Sequence, residues 1–118
     1  MKFSCSLKLN HVFRRLYGTT AHANSCLVLY ARRNRSATNR VGVTVSKKLG
    51  GAVVRNRVRR RLREAYRLHE GEFQSGWDIV LVARTKAIHA PFSKLEQAYL
   101  DAARSAGCLL SSDPETTV

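Results

Sequence analysis

Acidic residues are almost absent from the first half of this chain. Residues 1–67 contain one, Glu64, against 17 Lys and Arg, whereas residues 68–118 contain seven against four. The two parts carry +16 and −3, which together give the net +13 of the whole chain. Solubility alone gives no reason to separate charge in this way, so the first part reads as a surface for a polyanion. Long apolar runs are absent too. The longest, residues 26–31 (CLVLYA) and 79–83 (IVLVA), fall far short of the roughly 20 residues of a membrane span. The start, MKFSCSLKLNHVF, has no apolar signal core. No membrane partner is expected, and the expected location is cytoplasmic.

Cysteine is scarce: Cys5, Cys26 and Cys108 are widely spaced and odd in number. They read as free thiols, with Cys26 in the core. The four histidines, His11, His22, His69 and His89, have no metal-ligand spacing with them. There is no GxxxxGK[ST] loop, and LGGAV at 49–53 lacks the GxGxxG spacing. A nucleotide site, a zinc module and a small-molecule substrate are therefore not expected. The acids Glu64, Glu70, Glu72, Asp78, Glu96, Asp101, Asp113 and Glu115 are expected on the solvated surface rather than as a paired-carboxylate centre. A protein-only nuclease using His and Lys needs no local motif and stays open as an alternative.

What is present is periodicity. Leu9, Val12, Phe13, Leu16 and Tyr17 follow helical spacing, with Asn10 as N-cap and Gly18 as stop. Residues 22–24 form a polar connector with room for a short edge strand. SCLVLYA (25–31) predicts a strand with two apolar faces, Cys26, Val28 and Tyr30 on one and Leu27, Leu29 and Ala31 on the other. RRNRSATNR (32–40) predicts a mobile hairpin loop. RVGVTVS (40–46) alternates, with Val41, Val43 and Val45 toward the core. A helix is predicted over 52–68, a loop over 69–76, a buried strand over 78–83, and a last helix that starts near Pro91 and ends at Gly107. The order predicts an α+β sandwich, with helices on a small sheet. One domain spans 1–110, and SSDPETTV (111–118) is expected to be a disordered tail.

The densest charge lies in residues 47–67, KKLGGAVVRNRVRRRLREAYR, where nine of 21 residues are Lys or Arg. Val54, Val58, Leu62, Ala65 and Tyr66 form one apolar stripe. Arg55, Asn56, Arg57, Arg59, Arg60, Arg61, Arg63 and Arg67 fill the remainder. Like charges at i, i+4, such as Arg55, Arg59, Arg63 and Arg67, repel. Phosphates offset that repulsion and release counterions, and guanidinium groups grip phosphate bidentately. No second helix closely precedes this one, as a helix-turn-helix would require. A broad arginine surface suits folded RNA, which is read by shape and backbone. A structural RNA-binding protein of ribosomal type is one reading of such a surface.

The run from Leu49 to Arg63, LGGAVVRNRVRRRLR, preceded by Val45-Ser46-Lys47-Lys48, resembles the signature of the bacterial ribonuclease P protein family. That pattern is Ala-x-x-Arg-Asn-Arg-hydrophobic-basic-Arg, and its Arg55-Asn56-Arg57 centre is intact here. The likeness extends over residues 7 to about 106. Gly51 stands where the family commonly has a polar residue, and Tyr17 where it often has Phe. The resemblance implies an α-β-β-β-α-β-α fold on a mixed four-stranded sheet, with a left-handed crossover through the arginine helix, against the usual hand, as in a ribosomal-protein-like domain. It implies a catalytic RNA as partner, one protein per RNA, and precursor tRNA as substrate, with Mg²⁺ acting through the RNA and no catalytic residue in the protein. It assigns Lys47, Lys48, Arg55, Asn56, Arg57, Arg59, Arg60, Arg61, Arg63 and Arg67 to the RNA subunit. It assigns Phe13, Tyr17, Val28 and Tyr30, with Arg84 and Lys86, to a cleft for the single-stranded leader. Taken by periodicity alone, Phe13, Tyr17, Val28 and Tyr30 read as core residues, so both assignments stand at this point.

Overall fold

The computed structural model describes residues 4–6, 16 and 18–110. Apart from Leu16, the predicted first helix lies outside the described residues, with Phe13 and Tyr17 in it, and so does the tail 111–118. The elements are β1 (Ser4–Ser6), β2 (His22–Ala23), β3 (Leu27–Arg33), β4 (Asn39–Thr44), α1 (Ala52–His69), β5 (Trp77–Ala83), α2 (Lys86–His89) and α3 (Phe92–Ala106). Single 3-10 turns occupy Lys47–Leu49 and Glu70–Glu72. The fold is α+β, a small mixed sheet carrying helices, as expected from the sequence.

The sheet order is β1-β4-β5-β3-β2. Strands β4, β5, β3 and β2 form the expected four-stranded sheet, and the three residues of β1 extend it in parallel along β4. The apolar run of β5 explains its place. Its Ile79, Val80, Leu81 and Ala83 are buried on both faces, which suits a central strand. It pairs antiparallel with β3 and parallel with β4. Residues 32–40 are therefore not a hairpin loop. β3 and β4 flank β5 instead of pairing, because the more apolar strand takes the centre. Nor is this connection loosely held. Asn34 donates to the Thr38 carbonyl at 3.1 Å, and the Asn34 N–H reaches the Gly76 carbonyl at 2.8 Å. The parallel β4–β5 pair forces the chain out of the sheet between them, and α1 makes that crossover.

One face of the sheet holds the main core. Leu27, Leu29, Val41, Ile79, Leu81 and Ala83 meet Val58, Leu62, Ala65 and Tyr66 of α1 and Leu95, Tyr99, Ala102 and Ala103 of α3. Each fully buried Leu or Ile contributes about 1.5–3 kcal/mol. The rings of Tyr66, Phe73 and Tyr99 join the two helices, with centroids 4.9–6.3 Å apart. Cys26 and Cys108 are buried free thiols, and burial pushes the Cys108 thiol up to about 12. Gly107 ends α3 in the left-handed region, φ 85°.

One acid departs from its expected exposure. Asp78 is buried, and Arg40 of the adjacent strand grips it at 2.7 and 2.6 Å while Asn34 donates at 2.9 Å. The strand register sets Arg40 opposite Asp78, which supplies the neutralisation a buried carboxylate needs.

The end of α1 is tied to α3 by His69, whose ring contacts Glu72 at 2.6 Å and Glu96 at 2.9 Å. The Glu72 bond first, then the Glu96 bond, raises the His69 pKa. A raised folded value makes this stabilisation full below the unfolded value of about 6.5 and lost as pH rises through the folded value. His69→Gln should therefore lower the melting temperature at pH 6 and leave it nearly unchanged at pH 9. Equal losses at both pH values would contradict the ion pairs.

Candidate nucleic-acid interface

Helix α1 is amphipathic in an unusual sense: one side is core and the others are mostly guanidinium. Val58, Leu62, Ala65 and Tyr66 are buried, and Val54 is half-buried. The preceding turn needs Gly50, whose φ is 146° and whose added Cβ would meet the Val54 side chain at 3.0 Å. Gly51 at the N-cap makes no side-chain cap, and the first turn holds no acid. The amides there, with the positive end of the helix dipole, favour anions. Lys47 and Lys48 are exposed just before it.

The predicted cations divide by what they touch. Arg57, Arg60 and Arg63 make no hydrogen bond or ion pair among the described residues. Arg59 donates to Asn56 at 2.9 Å, and the Arg55 Nε donates to the Gly50 carbonyl at 3.2 Å. Arg67 forks onto Glu64 at 2.8 and 2.6 Å, and that bond holds the Glu64 carboxyl below its ordinary value. Asn56, Arg59, Arg60, Arg63, Glu64 and Arg67 line one shallow groove along the helix. The single acid of the region is thus already matched, so the groove keeps an excess of positive charge.

Arg61 is different. It turns toward the protein and donates to the carbonyls of Ala87 at 2.9 Å, Ile88 at 3.4 Å and Ala90. Those carbonyls close the short helix α2, where a cation offsets both unpaired acceptors and the negative dipole end. Burial first, and then the charge of Arg57, lowers the Arg61 pKa from its ordinary value. Its grouping with the outward arginines is corrected by its position on the edge of the apolar stripe, beside Leu62. The structure places it between α1 and the 84–90 segment.

The opposite sheet face is apolar on a smaller scale. Val80 and Leu16 are fully buried together, with Tyr30 and Val82 packed around them. Register aligns Val28 with Val82 and Tyr30 with Val80, and on the other side Thr44 with Val82 and Gly42 with Val80. Val28 and Tyr30 are half-buried. Arg84 and Lys86 are exposed beyond the end of β5, and the Arg84 Nη1 donates to the Asn24 carbonyl at 3.1 Å. Of the residues predicted for a leader cleft that lie within the described part, Val28 and Tyr30 share this side, and Arg84 and Lys86 follow the end of β5. Sequence reasoning missed the far end of the face, where Arg32, Asp78 and Arg40 stand in register. The signal was available: Val28, Tyr30 and Arg32 alternate onto one side.

Among the described residues, no group of three His, Cys, Asp or Glu side chains could hold a metal ion, and no helix is long and apolar enough to cross a membrane. The division of the arginines can be checked by denaturation. Arg61→Ala should lose about 1–3 kcal/mol by leaving carbonyls unpaired, while Arg60→Ala should stay within about 0.5 kcal/mol of the parent. Equal stabilities of the two variants would contradict the inward placement of Arg61.

A sequence profile of the family described as Ribonuclease P matches residues 1–107. The ribonuclease P protein component of Alkaliphilus metalliredigens (strain QYMF) is 41% identical over 101 residues, 85% of this chain and 91% of that protein. That of Lachnoclostridium phytofermentans is 39% identical over 111 residues, 93% and 96% of the two chains. Among solved structures, the RNase P protein of Staphylococcus aureus matches with a TM-score of 0.80 and 30% identity, over 89% of this chain and 97% of that one. The RNase P protein of Thermotoga maritima matches with a TM-score of 0.74 and 28% identity, over 81% and 92%. Sequence and fold agree over nearly the whole length, and the chain belongs to the ribonuclease P protein family.

Proposed function

We propose that this chain is the protein subunit of a cytoplasmic ribonuclease P whose catalytic centre is RNA, and that it promotes removal of the 5′ leader from precursor tRNA. The observation that carries the proposal is the outward side of α1, where Arg57, Arg60 and Arg63 make no hydrogen bond or ion pair among the described residues and Glu64 is already matched by Arg67. Folded RNA supplies the phosphates that this surface lacks. Lys47, Lys48, Arg55, Asn56, Arg59 and Arg67 extend the contact toward both ends of the helix, and one protein serves one RNA.

The opposite sheet face supports a second contact. Val28, Tyr30 and Val82 present a half-covered apolar floor, and the Tyr30 ring can stack on a base without sequence preference. A single-stranded leader of varied sequence fits such a floor, with Phe13 and Tyr17 as further stacking rings and Arg84 and Lys86 along its backbone. The protein's part is to bind and orient. Mg²⁺ held by the RNA would activate water and stabilise the leaving oxygen.

Cleavage of precursor tRNA at low Mg²⁺ by a ribonuclease P RNA, with and without the protein, tests this reading. The expected result is stimulation that requires the RNA. Cleavage by the protein alone would point to a protein-only nuclease, and no effect to a structural RNA-binding role. In RNA-subunit binding, Arg57→Ala or Arg60→Ala should reduce affinity and lower the slope of log K against log salt by about 0.7–0.9 per lost phosphate contact. An unchanged slope would mean that these arginines face only solvent. Tyr30→Ala should weaken precursor tRNA binding by the holoenzyme, since stacking is worth roughly 1–3 kcal/mol per base, and should spare mature tRNA. Equal weakening of both would return Tyr30 to a purely structural role.

A further inference from the structure

The floor of the apolar face does not end at Tyr30. Two residues further along β3, on the same side, stands Arg32, in register with Asp78 of β5, which is in turn in register with Arg40 of β4. One carboxylate thus lies between two guanidinium groups and bonds only one of them, Arg40, at 2.7 and 2.6 Å. Asn34 takes a further share of Asp78 at 2.9 Å. Arg32 is half-buried and makes no hydrogen bond or ion pair among the described residues. The row keeps one cation in excess, and Arg35, exposed in the adjoining loop with φ 66°, adds another at the same end.

The position of this row is set by the sheet. Thr44, at the other end of β4, pairs with Val82 and leads directly into Lys47, Lys48 and the start of α1. Strand geometry of about 3.3 Å per residue separates the Thr44 row from the Arg40 row by roughly 13 Å. A strand of RNA entering beside the start of α1 would pass the half-buried Val28 and Val82, then the half-buried Tyr30, and only then meet Arg32. The chemistry also changes along this line, from apolar and aromatic to cationic. The apolar rows suit bases and the last row suits a phosphodiester.

From this arrangement we infer that Arg32 forms a backbone-phosphate subsite for single-stranded RNA at the far end of the sheet face, beyond the Tyr30 row. The inference rests on the leader-binding reading above and deepens it. Arg32 holds the upstream part of the leader, and Arg40 stays committed to Asp78. The subsite recognises a phosphate and no base, so it lengthens the footprint without adding sequence preference.

The test uses the holoenzyme reconstituted with a ribonuclease P RNA. Two precursor tRNAs are compared, one whose leader is too short to pass the Tyr30 row and one whose leader runs beyond Arg32. Arg32→Ala should weaken the long-leader substrate roughly two- to fivefold, as for one exposed charged contact, and leave the short-leader substrate unchanged. The salt slope for the long leader should fall by about 0.7, the value for one single-strand phosphate. Arg32→Lys should retain that slope. Equal weakening of both substrates would mark Arg32 as merely structural and overturn the inference. A parent that distinguishes the two leaders while Arg32→Ala behaves identically would overturn the subsite alone. A parent indifferent to leader length would overturn the leader-binding reading, and the subsite with it.

Discussion

Burial of a single side of α1 against the sheet is the contact on which the rest depends. That helix has no side-chain cap at its start, no acid in its first turn, and rows of arginine that repel one another along its exposed sides. Intrinsic helix preference does not offset those terms alone, because in proteins most helical stability comes from tertiary packing of an apolar face. Val58, Leu62, Ala65 and Tyr66 supply the packing, and Tyr66 extends it through Phe73 and Tyr99 to α3. The apolar stripe therefore does more than fill a core. It also fixes which sides of the helix carry the concentrated positive charge.

The central strand β5 gives the molecule two usable sides. Because it is apolar on both faces and lies between β3 and β4, each face of the sheet can be built separately. The face under α1 and α3 is closed and fully packed. The other carries a narrow apolar strip, from Val28 and Val82 to Tyr30 and Val80, with cations beyond either end. Arg61 ties α1 to the segment that follows β5. It belongs to the arginine helix by sequence, yet it closes the α2 turn that follows Arg84 and precedes the last helix. Its charge contributes to the placement of backbone rather than to the outward field.

Much of this was legible in the sequence. The α1 stripe, the alternation in β4, the two-faced β3 and β5 segments and the Gly107 stop all follow from spacing within a few residues, where periodicity carries the information. The charge separation between residues 1–67 and 68–118 pointed to a polyanion without any structure. The run Leu49–Arg63, with its Arg55-Asn56-Arg57 centre and the preceding Val45-Ser46-Lys47-Lys48, suggested the family. The short α2 helix was missed because KAIH is too brief to show a period. The hairpin reading of 32–40 failed because strand neighbours are chosen by competition for the sheet centre, and a local window does not contain the competitor.

The sequence by itself determined the amount of charge, its excess in residues 1–67 with the densest run at 47–67, and the apolar stripe that anchors α1. These are local quantities, written in composition and period. Tertiary structure alone decided which cations face outward and which are spent internally. Arg40 meets Asp78 across 38 residues and Arg61 meets Ala87 across 26, and no local pattern foretells either partner. It also decided that Arg32 shares a row with a carboxylate already taken. Long-range strand register set the Arg32, Asp78 and Arg40 row, and the packing of α1 beside the 84–90 segment set the Arg61 contacts, because only the folded chain fixes which groups stand opposite one another.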